Sequence, residues 1–187
     1  MDIQKILLAV HLVGFALGLG GATVSDITFF KVLRKRYLSR ENLEFLGILS
    51  KVIWVGLGLL IVSGLIIFAL IYAEQGSLAL LSSPRWQTKL SLVGIVFLNG
   101  LFFKFYIFPR LKQLVDSSLT AEKIKKISWR LAFSGTVSIL SWYSIFVITQ
   151  LPRTFRPHIL YFAGTYLILL VLGILVSKLL ISKMINK

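Results

Sequence analysis

The stretch from residue 3 to residue 30, IQKILLAVHLVGFALGLGGATVSDITFF, decides the fold, because it is apolar over almost its whole length. A helix needs about 20 such residues to cross a hydrocarbon core of roughly 30 Å. The apolar residues form a continuous run and do not alternate strictly with polar ones, which excludes a strand of a membrane β-barrel. We therefore predict a membrane-spanning helix from Ile3 to Phe30.

Four further stretches have the length and composition of a membrane span. Hydrophobic residues make up 57% of the 187-residue chain and charged residues 15%, with a mean hydropathy of +0.86, which excludes a soluble globular domain. The predicted fold is all-α, a polytopic bundle of five transmembrane helices in which residues 1–187 form a single transmembrane domain. The other four helices are predicted at about Leu43–Tyr72, Trp86–Phe108, Ile127–Gln150 and His158–Ile181.

Basic residues set the expected partners and the orientation. The chain has 21 Lys and Arg against 7 Asp and Glu, and they lie between the apolar stretches instead of on one face. This favours the lipid bilayer and not nucleic acid as the partner. Most basic residues fall in the first and third predicted loops and at the C-terminus. The positive-inside rule then predicts an external N-terminus and a cytoplasmic C-terminus in the inner (cytoplasmic) membrane.

The first predicted helix shares one feature with a signal peptide, the small residues Gly20-Gly21-Ala22 at a cleavage-like position. However, Asp2 lies beside Lys5, so the leader is hardly positive. Cleavage would also place the basic first loop on the wrong side of the membrane. We therefore expect this helix to be retained.

The chain contains no cysteine, which excludes disulfides, zinc–thiolate sites, iron–sulfur clusters and cysteine nucleophiles. The two histidines and seven acidic residues also make a carboxylate-rich metal site difficult to build. Any cofactor must therefore be held by few polar groups.

His11 is an ionisable residue within the first predicted span. It lies ~12 Å along the helix from Ile3, and ionisable groups at such depth normally face the bundle interior and mark functional sites. The alternative is a neutral histidine that bonds a Ser, a Tyr or a carbonyl group of a neighbouring helix, and the sequence leaves both open. Ser134, Ser138 and Ser141 form a stripe on the fourth predicted helix and offer His11 a hydroxyl partner.

Small and polar residues predict where the helices pack closely. Gly14, Gly18 and Ala22 follow one another at four-residue spacing, which forms a ridge on which another helix can pack. Asn99 lies near the middle of the third predicted helix. We interpret it as an interhelical hydrogen-bonding residue, with a ligand role as the alternative.

Asp26 continues the ridge of small residues, about 22 Å along the helix from His11, too far for both to belong to one site. A carboxylate this close to hydrocarbon needs a partner. Lys51 lies near the same end of the second predicted helix. We predict a structural ion pair of Asp26 with Lys51, with Arg34 as an alternative partner.

Cationic groups gather at the predicted outer end of the third helix. Arg85 and Lys89 lie in its first turns, and Tyr143 of the fourth helix is expected at the depth of His11. With His11, these residues are candidates for a cofactor-binding site in which the cations receive an anionic group. For Lys89 the alternative is a side chain that extends to the membrane surface. Three further residues at the last outer turn can meet ligand carboxylates or lipid headgroups: Arg153, Arg156 and His158.

Three segments resemble a known group of membrane proteins. The run His11–Ala22, the Ser63-Gly64 pair of the second helix and Trp86-Gln-Thr-Lys89 are similar to the opening of proteins related to the CopD copper-resistance domain and to HemJ-type protoporphyrinogen oxidases. The resemblance covers about the first 110 residues. In HemJ-type proteins a histidine of the first helix and a lysine of the third are implicated in porphyrin chemistry, and His11 and Lys89 match these by position. The resemblance therefore implies haem b or a porphyrin as cofactor, with His11 as the axial ligand and the cations meeting propionates.

Three functions remain open on the sequence. The first is a small outward-facing polar site that binds haem or a porphyrin in a redox or cofactor-handling role. The second is a structural or accessory subunit without catalysis, bound to other membrane subunits or to further copies of itself. The third is a transporter or channel for a small solute or ion, against which stands the lack of an acidic relay or a repeat pair. The sequence does not decide whether the protein is an enzyme.

Overall fold

A computed structural model describes residues 3–76, 81–116, 120–152 and 158–185. Most of these residues are helical, and none of them forms a strand. Five helices among them are long and apolar enough to cross a membrane, which confirms the predicted all-α fold with five candidate spans. The elements are α1 (Ile3–Lys35), α2 (Arg40–Gln75), α3 (Pro84–Phe102), a π-helical turn (Phe103–Ile107), α4 (Phe108–Lys112), α5 (Ala121–Gln150) and α6 (Ile159–Ile185).

The helices extend beyond the apolar stretches from which they were predicted. α1 continues to Lys35 and α2 begins at Arg40, so the first connection is shorter than the basic segment suggests. Hydropathy marks only the part of a helix that lies in hydrocarbon, whereas backbone hydrogen bonding continues until a residue ends it. Long basic side chains are compatible with such extensions because their charged ends reach water.

Local signals explain where α2 and α3 begin and where α2 ends. Ser39 caps α2, since its hydroxyl accepts the backbone N–H of Asn42 at 3.1 Å. Gly76 ends α2 in the left-handed conformation with φ 61°, a geometry that glycine adopts without steric cost. Pro84 lies in the first turn of α3, where its missing N–H is not needed.

The π-helical turn follows from Pro109. A proline cannot donate to the carbonyl four residues earlier, and its ring crowds that carbonyl, which here belongs to Phe105. The chain widens before Pro109, and the N–H of Phe108 bonds the carbonyl of Phe103 five residues back. α3, this turn and α4 together form one apolar span, Pro84–Lys112.

The α1–α2 pair is packed backbone to backbone. A Cβ on Gly56 would lie 2.6 Å from the Gly18 nitrogen, and one on Gly14 would lie 2.8 Å from the Gly56 carbonyl oxygen. On another face of α1, the Trp142 indole of α5 covers Gly18. Gly18 therefore lies between α2 and α5, Gly14 packs against α2, and Ala22 is buried in the same region.

α5 is the central helix, with α1, α3 and α6 packed around it. The buried side chains form two clusters along the bundle. One surrounds Leu33, Leu111 and Leu131 near the end that carries Arg34, Lys35 and Arg40, which we call the basic end. The other surrounds Leu60, Val96 and Trp142, toward the opposite end, which we call the amino-terminal end.

Candidate functional site

His11 lies at the amino-terminal end, between α1 and α2. Its Nδ1 is 3.0 Å from the hydroxyl oxygen of Ser63, and that hydroxyl donates its own proton to the Leu59 carbonyl. Because the hydroxyl proton is used, the histidine Nδ1–H is the donor to Ser63, and in the neutral form of the ring Nε2 is then the unprotonated nitrogen. Nε2 is therefore the atom that can ligate a metal or accept a proton.

The hydroxyl partner of His11 comes from α2 and not from the predicted serine stripe of α5. Ser141 is fully buried and bonds the Tyr166 hydroxyl of α6 at 2.8 Å. Gly64 lies beside the imidazole, because a Cβ there would approach Cε1 to 3.4 Å. Ser63 thus accepts a hydrogen bond from one edge of the ring. Gly64, which has no side chain, leaves space beside it.

Lys89 is half-buried and lies close enough to His11 for the two side chains to interact electrostatically. Arg85 lies one turn away, within electrostatic range of Lys89. Among the described residues no carboxylate forms an ion pair with Lys89. His11 and Lys89, two of the predicted site residues, therefore lie within electrostatic range of each other.

Arg85 is engaged elsewhere. Its guanidinium donates to backbone carbonyls at the carboxyl end of α5, with distances of 2.8 Å to Ile148 and 2.7 Å to Leu151, and it also contacts the carbonyls of Thr149 and Pro152. The last carbonyls of a helix have no partner within the helix, and a cation beside them is favourable. Arg85 thus ties α3 to α5, and these bonds occupy much of the guanidinium that was expected to meet a ligand.

Tyr143 lies away from His11. Its exposed hydroxyl is 3.4 Å from that of Thr23, which is three turns further along α1 than His11. The prediction assumed that the outer ends of α1 and α5 are level. Instead Phe15 stacks against Phe146 with ring centroids 6.2 Å apart, so α1 extends past the end of α5.

The predicted ion pair between Asp26 and Lys51 is not formed. Asp26 Oδ2 is buried without a hydrogen-bond partner, whereas Lys51 is exposed. The physical reason is helical phase. The face of α2 toward Asp26 carries Ser50 and Trp54, and Lys51 is rotated about 100° from Ser50.

Asp26 borders a cavity of about 90 Å³ that we call the Asp26 cavity. It lies between the two buried clusters, with walls from α1, α2, α3, the π-helical turn and α5. Asn99, predicted as an interhelical residue, donates its side-chain N–H to the Ser134 carbonyl at 3.1 Å and also lines the cavity. The sequence placed Ser134 and Ser138 on one stripe of α5 but did not connect this stripe to Asp26.

The connection between α5 and α6, predicted as the last outer turn, is described only in part. His158 is exposed, and its Nδ1 accepts the backbone N–H of Leu160 at 3.4 Å at the start of α6. Arg153 and Arg156 lie outside the described residues.

Comparisons of the chain with models of known protein families, with curated proteins and with solved structures find no match.

Proposed function

We propose that the protein is a multi-pass inner-membrane protein that binds an anionic porphyrin or haem at the His11–Lys89 end of the bundle. A cationic ammonium within electrostatic range of an imidazole, with no acidic partner among the described residues, carries this proposal. A carboxylate ligand would supply the missing counter-charge of Lys89.

The imidazole of His11 is held in a way that suits ligation of a haem iron. Ser63 holds the imidazole through Nδ1, and such a second bond orients a ligating histidine and leaves Nε2 for the metal. His11 would hold the iron and Lys89 a propionate. Haem, when bound, supplies electron transfer or oxygen chemistry, while the chain supplies orientation and an apolar environment.

An absorption spectrum tests the proposal. The full chain in detergent is titrated with haemin, and we expect a shifted Soret band that is lost in His11→Ala and weakened in Lys89→Gln. His158→Ala is the matched control, because it removes the other histidine of the chain, which is exposed at the start of α6. Absence of a shift, or an equal shift in His11→Ala, contradicts haem ligation.

The orientation belongs to the same proposal. The basic end carries Arg34, Lys35 and Arg40, and the positive-inside rule places that end in the cytoplasm. The N-terminus and the His11–Lys89 end then face the outside, and the C-terminus is cytoplasmic.

A structural or accessory subunit is the second candidate, favoured by the structural roles of two polar groups. Arg85 caps α5, and Asn99 joins α3 to α5. Under this alternative the chain copurifies with other membrane subunits or as a homo-oligomer, and His11→Ala behaves as wild type in cells. Haemin binding that depends on His11 would contradict it.

A further inference from the structure

The Asp26 cavity has the composition of a cation site. Its polar lining consists of oxygen-bearing side chains from four helices: Ser25, Asp26, Ser50, Asn99, Ser134 and Ser138. Oxygen ligands suit alkali and alkaline-earth cations, whereas transition metals prefer the imidazole and thiolate ligands that this lining does not contain.

The negative charge of the Asp26 carboxylate needs to be neutralised. Its Oδ2 is buried without a partner, and no cationic side chain lines the cavity within the part of the chain described. An isolated carboxylate in an apolar interior is very unfavourable, and ionisable groups at membrane depth are normally paired or functional. A proton or a cation from outside the chain must therefore neutralise it.

The size of the cavity allows a cation with part of its water. A single water needs about 10–15 Å³ measured in this way, so about 90 Å³ accommodates several small particles. The single carboxylate favours a monovalent ion, because Ca²⁺ and Mg²⁺ sites usually draw on more acidic or phosphate oxygens.

Two features of the backbone shape the space. Gly135 lets α5 approach the carboxylate, since a Cβ there would lie 3.4 Å from Asp26 Oδ1. Phe103, the first residue of the π-helical turn, lines the same cavity as Asn99. Short π-helical turns are frequent at functional sites, and irregular backbone inside a membrane is tolerated where it borders a cavity.

We propose that the Asp26 cavity binds a small monovalent cation such as Na⁺, in competition with a proton. The Asp26 carboxylate supplies the charge, and serine hydroxyls with the Asn99 amide oxygen supply further ligands. This inference does not rest on porphyrin binding, because Asp26 lies about 22 Å along α1 from His11.

Competition between protons and the bound cation should depend on Asp26 alone. The polar side chains that line the cavity with Asp26 include Ser50 and Trp54 from α2, Asn99 from α3, and Ser134 and Ser138 from α5, and none of them titrates in the ordinary pH range. Lys104 contacts the same Trp54 ring, with its Nζ 5.8 Å from the ring centroid, and Lys51 is exposed. Acidification should therefore weaken cation binding through Asp26 itself.

Binding of radioactive Na⁺ to the purified full chain in nanodiscs tests the inference directly. At mildly alkaline pH, with choline chloride keeping ionic strength constant, we expect saturable binding of one Na⁺ per chain that declines on acidification. Asp26→Asn should lower the affinity at least tenfold. Asp116→Asn, the same change at an exposed position of the basic end, should leave it unchanged.

A second variant tests the same site if Asp26→Asn does not fold. Ser138→Ala removes one hydroxyl from the lining while keeping a good helix former, and we expect it to reduce Na⁺ affinity several-fold. No saturable binding in the wild type, equal binding in Asp26→Asn, or stronger competition by Ca²⁺ than by K⁺ would each overturn the inference. In the first of these cases the cavity holds water and a protonated Asp26.

Discussion

Arg85 closes the carboxyl end of α5 from a neighbouring helix. Hydrogen bonds from charged groups contribute about 1.5–3 kcal/mol each in favourable cases, and Arg85→Ala leaves several carbonyls without that donor. We expect the variant to lose about 2 kcal/mol of stability, measured by thermal unfolding in detergent.

Arg40→Ala is the control for this change, because Arg40 is exposed and its Nε lies 4.0 Å from Glu44. Exposed pairs of this kind contribute about 0–1 kcal/mol, so this variant should unfold close to the wild type. Equal losses in the two variants would mean that Arg85 does not cap α5.

Tyr37 is a pH-sensitive contact in the first connection, outside the spans. The negative charge of Asp116 is the largest cause that raises the pKa of Tyr37 above its usual value of 10.0, followed by desolvation and by their hydrogen bond of 3.3 Å. Since the pKa is raised in the folded chain, the contact stabilises the turn below the ordinary tyrosine pKa and is lost as pH rises through the folded value.

A tyrosinate absorbance titration measures this effect. The component that disappears in Tyr37→Phe should titrate above pH 10.0 in the wild type and at lower pH in Asp116→Asn. An unchanged titration in Asp116→Asn would contradict the contact.

At the scale of the helices, Gly18 provides the clearest test of packing. An alanine Cβ at this position would overlap the Trp142 indole, which is buried to 1% exposure. Overpacking of this kind costs about 1–3 kcal/mol, so Gly18→Ala should lower the thermal unfolding midpoint.

Gly20 lies in the same helix, and a Cβ added to it would have no neighbouring atom within 4 Å. Gly20→Ala should therefore be neutral or stabilising by up to about 1 kcal/mol, through helix propensity alone. If Gly18→Ala is also neutral, the close approach of Trp142 to α1 is wrong.

Hydropathy predicted the spans because it depends on composition alone, but the positions of their side chains depend on how the helices are shifted against one another. His11 and Lys89 could be assigned to one end of the bundle from the sequence, because each lies near the same end of its own span. Tyr143 could not, since the offset of α1 against α5 is set by contacts such as Phe15 with Phe146. The Asp26 cavity could not be predicted either, because its lining depends on how four helices are rotated relative to one another. No single stretch of sequence determines that rotation.

At the scale of the whole molecule, the orientation in the membrane can be read by labelling. The chain has no cysteine, so each introduced cysteine is unique. Glu74→Cys marks the amino-terminal end and Glu44→Cys the basic end, and both positions are exposed. Losing one glutamate should not reverse the orientation, because acidic residues contribute little to the positive-inside rule.

We expect a membrane-impermeant maleimide to label Glu74→Cys in intact cells and Glu44→Cys only after permeabilisation. Detergent-solubilised protein, in which both sites should react, controls for accessibility. The reverse pattern would place the C-terminus outside.

The glycine contacts between α1 and α2 have a consequence for biogenesis. The two helices are consecutive in the chain, and they meet through their backbones without long side chains between them. Such a hairpin can form its closest contacts as soon as its second arm leaves the translocon, before the remaining helices are synthesised. Later segments then assemble against this preformed wall.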